Sequence, residues 1–86
     1  MEFIYTERFN KFYKRLSEVE KKTLQKKLVL MMKNPYHPSL ITKKVQGTDI
    51  IFECSITMAI RMTWQYDGDS IVLRVVGDHD EVLRNP

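Results

Sequence analysis

Hydrophobic positions change period once along this chain. Up to residue 34 they recur at helical spacing, and after Gly47 they alternate. Phe9, Phe12, Tyr13 and Leu16 stand at i, i+3, i+4 and i+7, the stripe of a first helix, with Thr6 placed to cap it. Ser17 and Glu20 have the spacing of a capping box, which predicts a second helix. Its apolar stripe is Leu24, Leu28, Met31 and Met32, while Lys22, Lys26 and Lys33 project on another side. Asn34-Pro35 stops it, because proline disfavours helical backbone in the residue before it. Ahead of these helices, Phe3, Ile4 and Tyr5 read as a short edge strand. After them, Pro35–Ser39 reads as a loop, and Lys43–Gln46 as a short strand or an extended arm ended by Gly47.

Three runs of period two follow. Ile50, Phe52, Cys54 and Ile56 share one face of the first. Ile60, Met62, Trp64 and Tyr66 share one face of the second, and Ile71, Leu73 and Val75 one face of the third. Runs this short with short connections predict an antiparallel meander. Asp67-Gly68 is a preferred two-residue hairpin turn. Used as such, it sets Trp64 opposite Ile71, Met62 opposite Leu73 and Ile60 opposite Val75, an apolar face that the helices are expected to cover. The expected class is therefore α+β, with two N-terminal helices packed on one face of a small, mainly antiparallel twisted sheet. Eighty-six residues make this a single domain, 1–86, burying about 60–65% of the surface its unfolded chain exposes.

The same register sets Arg61 directly opposite Arg74, a destabilising pairing of like charges. Thr63 and Gln65 share that face. Glu53 and Ser55 join it if the preceding strand pairs alongside, and His79 falls just past the last strand. Two arginines, a glutamate and a histidine thus converge on a sheet face expected to be uncovered. One reading is a solvated surface on which Glu53 neutralises the arginines. The other is an anion site, since the planar guanidinium fork suits phosphate and a neighbouring histidine transfers protons near neutral pH.

Charge sharpens that choice. Residues 1–48 carry eleven Lys or Arg against four Glu, a balance of +7, whereas residues 49–86 balance to −4. A basic half attracts nucleic acid or an acidic protein, although lysine-rich helices are also simply well solvated. The single cysteine, Cys54, forms no internal disulfide and falls on the core face, where a thiol is inert. With no membrane-spanning run and no signal-peptide pattern, the expected setting is the cytoplasm. Asp78-His79-Asp80 is a poor metal site, since neighbours on a turn seldom all point at one ion and no second ligand cluster exists. His37, between two prolines, reads as an exposed loop residue. There is neither a glycine-rich phosphate loop nor a nucleophile elbow.

The order of motifs is similar to that of a known family. Phe9-x-x-Phe12-Tyr13-Lys14-x-Leu16 precedes a lysine-rich helix. Then come Asn34-Pro35-Tyr36-His37-Pro38-Ser39-Leu40, Lys43-Lys44-Val45-Gln46-Gly47, Phe52-Glu53, Arg61 and Val76-Gly77-Asp78-His79-Asp80-Glu81-Val82. Over nearly its whole length the chain resembles the RelE/ParE superfamily of toxins from toxin–antitoxin modules. The resemblance implies a RelE-like fold, two helices on a twisted, mainly antiparallel sheet. It also implies a metal-independent endoribonuclease that cuts mRNA on the ribosome without a cofactor, held in check by a cognate antitoxin. Arg61 matches the family's arginine at the scissile phosphate, and His79 the position of a catalytic histidine or arginine. Lys43 and Lys44 match a basic segment facing RNA. In such a reaction Arg61 stabilises the phosphorane charge, with Arg74 assisting or binding a flanking phosphate. His79 is the acid and Glu53 the base, and Lys22, Lys26, Lys43 and Lys44 hold RNA backbone. Nuclease members often carry Tyr or Phe where this chain has Leu83, and a basic residue or histidine where it has Ser55. Other relatives inhibit DNA gyrase by binding it, and an inactive RNA-binding relative is the third expectation.

Overall fold

The computed structural model describes all residues, Met1–Pro86. The chain runs β1 (Glu2–Tyr5), α1 (Glu7–Tyr13), α2 (Glu18–Lys33), a 3-10 turn (Pro38–Leu40), β2 (Lys43–Lys44), β3 (Phe52–Ser55), β4 (Ile60–Asp67), β5 (Ser70–Asp78) and α3 (His79–Arg84). The five strands form one sheet in the order β1-β5-β4-β3-β2. Only β1, at the edge, is parallel to its neighbour β5. The expected α+β arrangement of two helices on a mainly antiparallel sheet is what the chain adopts.

The local signals act as read. Thr6 Oγ1 accepts from Phe9 N at 3.0 Å and opens α1. Ser17 and Glu20 close a full capping box at 2.8 and 3.1 Å. The helix ends at Asn34. Phe9, Leu16, Leu24 and Met31 are buried against Cys54, Met62, Trp64, Ile71, Leu73 and Val76 in one cluster between helices and sheet. Met32, expected in the core stripe, is 40% exposed instead. Burial raises the Cys54 thiol from its ordinary value of 9.0 to about 12, so it stays protonated and inert at neutral pH. No helix is long and apolar enough to cross a membrane.

The hairpin register differs from the one expected. Asp67 pairs with Ser70, so the turn residues are Gly68 and Asp69, not Asp67 and Gly68. Only Gly68 has positive φ (58°) there, as in a turn that needs glycine at its first central position. Tyr66 faces Ile71 and Trp64 faces Leu73. Beyond them the register shifts, with Thr63 facing Val75, Met62 facing Val76 and Arg61 facing Gly77. Arg74 is thus the extra residue of a β-bulge, and the Arg61–Arg74 opposition does not occur. The bulge turns Val76, rather than Val75, toward the helices and leaves Val75 on the far face.

That far face is not uncovered. α3 packs against β4 and β5 there. A side chain at Gly77 would lie 3.6 Å from Val82 and 3.5 Å from Phe12. Val75, Thr63 and Val82 are all fully buried, outside the main cluster. The missed helix was signalled by its ends. Asp78 caps it by accepting from Asp80 N, Asp80 and Glu81 occupy the first turn, and Arg84 the last.

Thr6 ties these parts together. Its hydroxyl caps α1 and donates to the carbonyls of Leu73 (2.8 Å) and Arg74 (3.2 Å) at the bulge. Replacing Thr6 with Val keeps the shape and removes both functions. Urea denaturation of Thr6→Val should show a loss of about 1–3 kcal/mol, whereas Thr6→Ser should lie close to the parent.

Candidate functional site

The far face is organised in rows across the strands. Ser55, Arg61 and Gly77 form one row, and Lys43, Glu53, Thr63 and Val75 the next. Successive rows on one face are about 7 Å apart. The centre of the second row lies under α3 and the chain's last residues, and Thr63 Oγ1 donates to the Pro86 main-chain oxygen at 3.0 Å. What remains open lies on the β2 and β3 side. A cleft of about 580 Å³ is lined by Lys43, Lys44, Val45, Gln46, Glu53 and Leu83.

Glu53 is the distinctive group in this cleft. It is only 6% exposed, yet it joins none of the protein's ion pairs. Its oxygens are not sealed, since Trp64 Nε1 is the only fully buried side-chain nitrogen or oxygen lacking a partner. A recessed carboxylate that opens on a cleft between two exposed lysines is arranged to meet a proton donor that also carries negative charge. A carboxylate held this way keeps its oxygens open to a group entering the cleft while its stem is packed in the protein.

Arg61 and His79 occupy the end of the same face. Arg61 Nη1 donates to the carbonyls of Thr57 (2.7 Å) and Met58 (2.9 Å) in the turn between β3 and β4. The His79 backbone N–H donates to Ala59 in the same turn at 2.8 Å. The imidazole is half exposed, and its Nδ1 lies 3.1 Å from Asp80 Oδ1. When that nitrogen carries the proton it donates to Asp80 and leaves Nε2 available.

The other expected residues lie elsewhere. Arg74 shares the face but points to its far side, donating through Nε to the Pro86 oxygen at 3.1 Å and through Nη1 to Gln65 Oε1. The hairpin turn takes it out of register with Arg61, and the bulge leaves it without a partner in the ladder. Lys22 and Lys26 are exposed on α2, which packs on the opposite face of the sheet. The structure therefore brings Lys43, Lys44 and Glu53 into one cleft, sets Arg61 in the next row with its guanidinium on the β3–β4 turn and His79 beyond that row, and leaves Arg74, Lys22 and Lys26 apart. Sequence reasoning missed Val45, Gln46 and Leu83 as cleft walls; Leu83 arrives there only because α3 folds back over the sheet. No group of three or more His, Cys, Asp or Glu side chains is gathered as for a metal ion.

No family profile and no curated protein sequence matches the chain. Solved structures do. It superposes on RelE in the RelB–RelE antitoxin–toxin complex from Methanococcus jannaschii with a TM-score of 0.78 at 16% identity, over 96% of this chain and 99% of the other. The YoeB/ParE toxin from Agrobacterium tumefaciens gives a TM-score of 0.79 at 13% identity, over 92% and 99%. A mutant of the E. coli toxin RelE in the free state gives 0.72 at 19%, over 95% and 87%. The chain has the RelE fold. Within that fold the bulge in β5 and the return of α3 shape the cleft.

If Arg74 anchors the last residues, Arg74→Ala should loosen them. Amide exchange should quicken across α3, and unfolding free energy should fall by about 1–2 kcal/mol. Exchange in α2 should not change.

Proposed function

We propose that this chain is the toxin of a type II toxin–antitoxin pair and cleaves ribosome-bound mRNA without a metal ion. The observation that carries the reading is the recessed, unpaired Glu53 in a lysine-lined cleft, one row from Arg61, within a RelE fold. Cleavage begins when Glu53 takes the proton of a ribose 2′-hydroxyl. The 2′-oxygen attacks the adjacent phosphorus, and Arg61 stabilises the charge that builds on the non-bridging oxygens. The bond from phosphorus to the 5′-oxygen breaks, and His79 protonates that oxygen. The products are a 2′,3′-cyclic phosphate and a 5′-hydroxyl. Lys43 and Lys44 hold the backbone phosphates on either side. Leu83 offers an apolar wall for a base. Arg74 acts by holding the last residues in place, while Lys22 and Lys26 are free to meet ribosomal RNA.

A cognate antitoxin is the natural protein partner, as RelB is for RelE in the Methanococcus jannaschii complex. A groove of about 410 Å³ between β1 and α2 is lined by Phe3, Tyr5, Leu28, Val29 and Met32. Apolar surface of this kind is usually covered by a partner.

Induced expression tests the reading. Growth should stop with transcripts cut within codons. Arg61→Ala and His79→Ala, each with a native circular-dichroism spectrum, should restore growth and lower cleavage about a hundredfold or more. Arrest with intact transcripts and inhibited supercoiling would favour gyrase inhibition, and no arrest would leave an inactive RNA-binding relative.

A further inference from the structure

The turn joining β3 to β4 spans residues 56–59, and its polar groups are almost fully engaged. Ile56 N and Thr57 N donate to Ile60 O at 2.9 and 3.2 Å. Thr57 Oγ1 accepts from Ala59 N at 3.3 Å and from Ile60 N at 3.1 Å. The carbonyls of Thr57 and Met58 accept from Arg61 Nη1, with a longer contact to Ile60 O at 3.4 Å. The carbonyl of Ala59 accepts from His79 N. Met58 at the tip is 96% exposed, so packing of its side chain does not hold the turn's shape.

This network has a consequence for Arg61. One terminal nitrogen is pinned by carbonyls, which fixes the plane of the guanidinium. Nε and Nη2 make no hydrogen bond within the protein, and they form the edge that donates two parallel hydrogen bonds to a phosphate. The same turn fixes where His79 begins α3. We infer that Thr57 is a positioning residue. Its hydroxyl sets the turn, the turn's carbonyls orient Arg61 with its free edge outward for a phosphate diester, and the Ala59 carbonyl sets His79 beside it. The assignment rests on the nuclease reading for its catalytic consequence, but the pinning of Arg61 is a property of the protein alone.

Pinning an arginine before substrate arrives lowers the ordering that binding would otherwise require. A valine at position 57 has nearly the same shape and no hydroxyl, so it removes the acceptor for Ala59 N and Ile60 N and loosens the turn while filling the same space. A serine keeps the acceptor.

The test uses the full chain as the parent, Thr57→Val and Thr57→Ser. Nuclear magnetic resonance of the arginine side chains should find slowed exchange at the Arg61 guanidinium in the parent. The Arg61 Nε–H resonance should also shift on titration with inorganic phosphate. Both features should weaken in Thr57→Val and persist in Thr57→Ser. On ribosome-bound mRNA, kcat should fall about tenfold in Thr57→Val with KM changed by less than about twofold, and Thr57→Ser should cleave like the parent. Fast guanidinium exchange in the parent overturns the inference, as does a Thr57→Val protein with parental kcat. If the parent cuts no RNA, the nuclease reading fails, and the resonance data still decide whether the turn pins Arg61.

Discussion

One residue too many in β5 governs the rest of this structure. Arg74 has no partner in the ladder, and from that point the two faces of β5 exchange their sequence parity. Ile71, Leu73 and Val76 join the main core, while Val75 lies on the far face and Gly77 meets Phe12 and Val82. The far face thereby gains an apolar strip, and α3 lies on it through Val82. A bulge is stable only if the carbonyls it frees from the ladder find donors. Thr6 meets that need and caps α1 with the same hydroxyl, so the bulge, the first helix and the edge strand are fixed together.

The docking of α3 makes a cleft from what would otherwise be an open sheet surface. Leu83 forms one wall, and Lys43, Lys44 and Glu53 the other. Further ties run to this segment from α1, where Arg8 donates to Asn85 O, and from the turn after it, where Arg15 pairs with Glu81 at 3.5 Å. The Arg15–Glu81 pair is more than half exposed and adds little by itself. The buried valines supply most of the adhesion. Different groups on one face then hold it and line its opening: Val75, Thr63 and Val82 are buried in it, and Glu53, Lys43 and Lys44 line the cleft, with Arg61 in the next row.

Much of the fold was legible because its determinants are local. Thr6, Ser17 with Glu20 and Asn34-Pro35 mark helix ends by short-range hydrogen bonding and sterics, and each acts where it was read. The hairpin was harder. Asp67-Gly68 and Gly68-Asp69 are both acceptable turn pairs, and the choice rests on tertiary packing. The bulge left no distinctive trace, since the adjacent Val75 and Val76 break alternation no more than Ile71-Val72-Leu73, which pairs regularly. The Arg61–Arg74 opposition depends on the Asp67-Gly68 turn; with Gly68 and Asp69 in the turn, Arg61 would face Val76 even without a bulge. Glu53 and Ser55 do share the face of Arg61 and Thr63, as alternation implies, and the exact pairing of Glu53 with Thr63 and Ser55 with Arg61 comes from the structure. The cleft itself was out of reach, because Leu83 joins Lys43 and Lys44 only through a six-residue helix that folds back across the sheet.

The proposed function turns on one step, the attack of a ribose 2′-hydroxyl on its neighbouring phosphate. Purified protein, ribosomes and a short synthetic mRNA provide the most direct measurement, with the cut site mapped and a single 2′-deoxy nucleotide then placed there. The all-ribose message should be cut to leave a 2′,3′-cyclic phosphate, with no cut at the substituted position. Equal cleavage of both messages, or of neither, would contradict the proposed function.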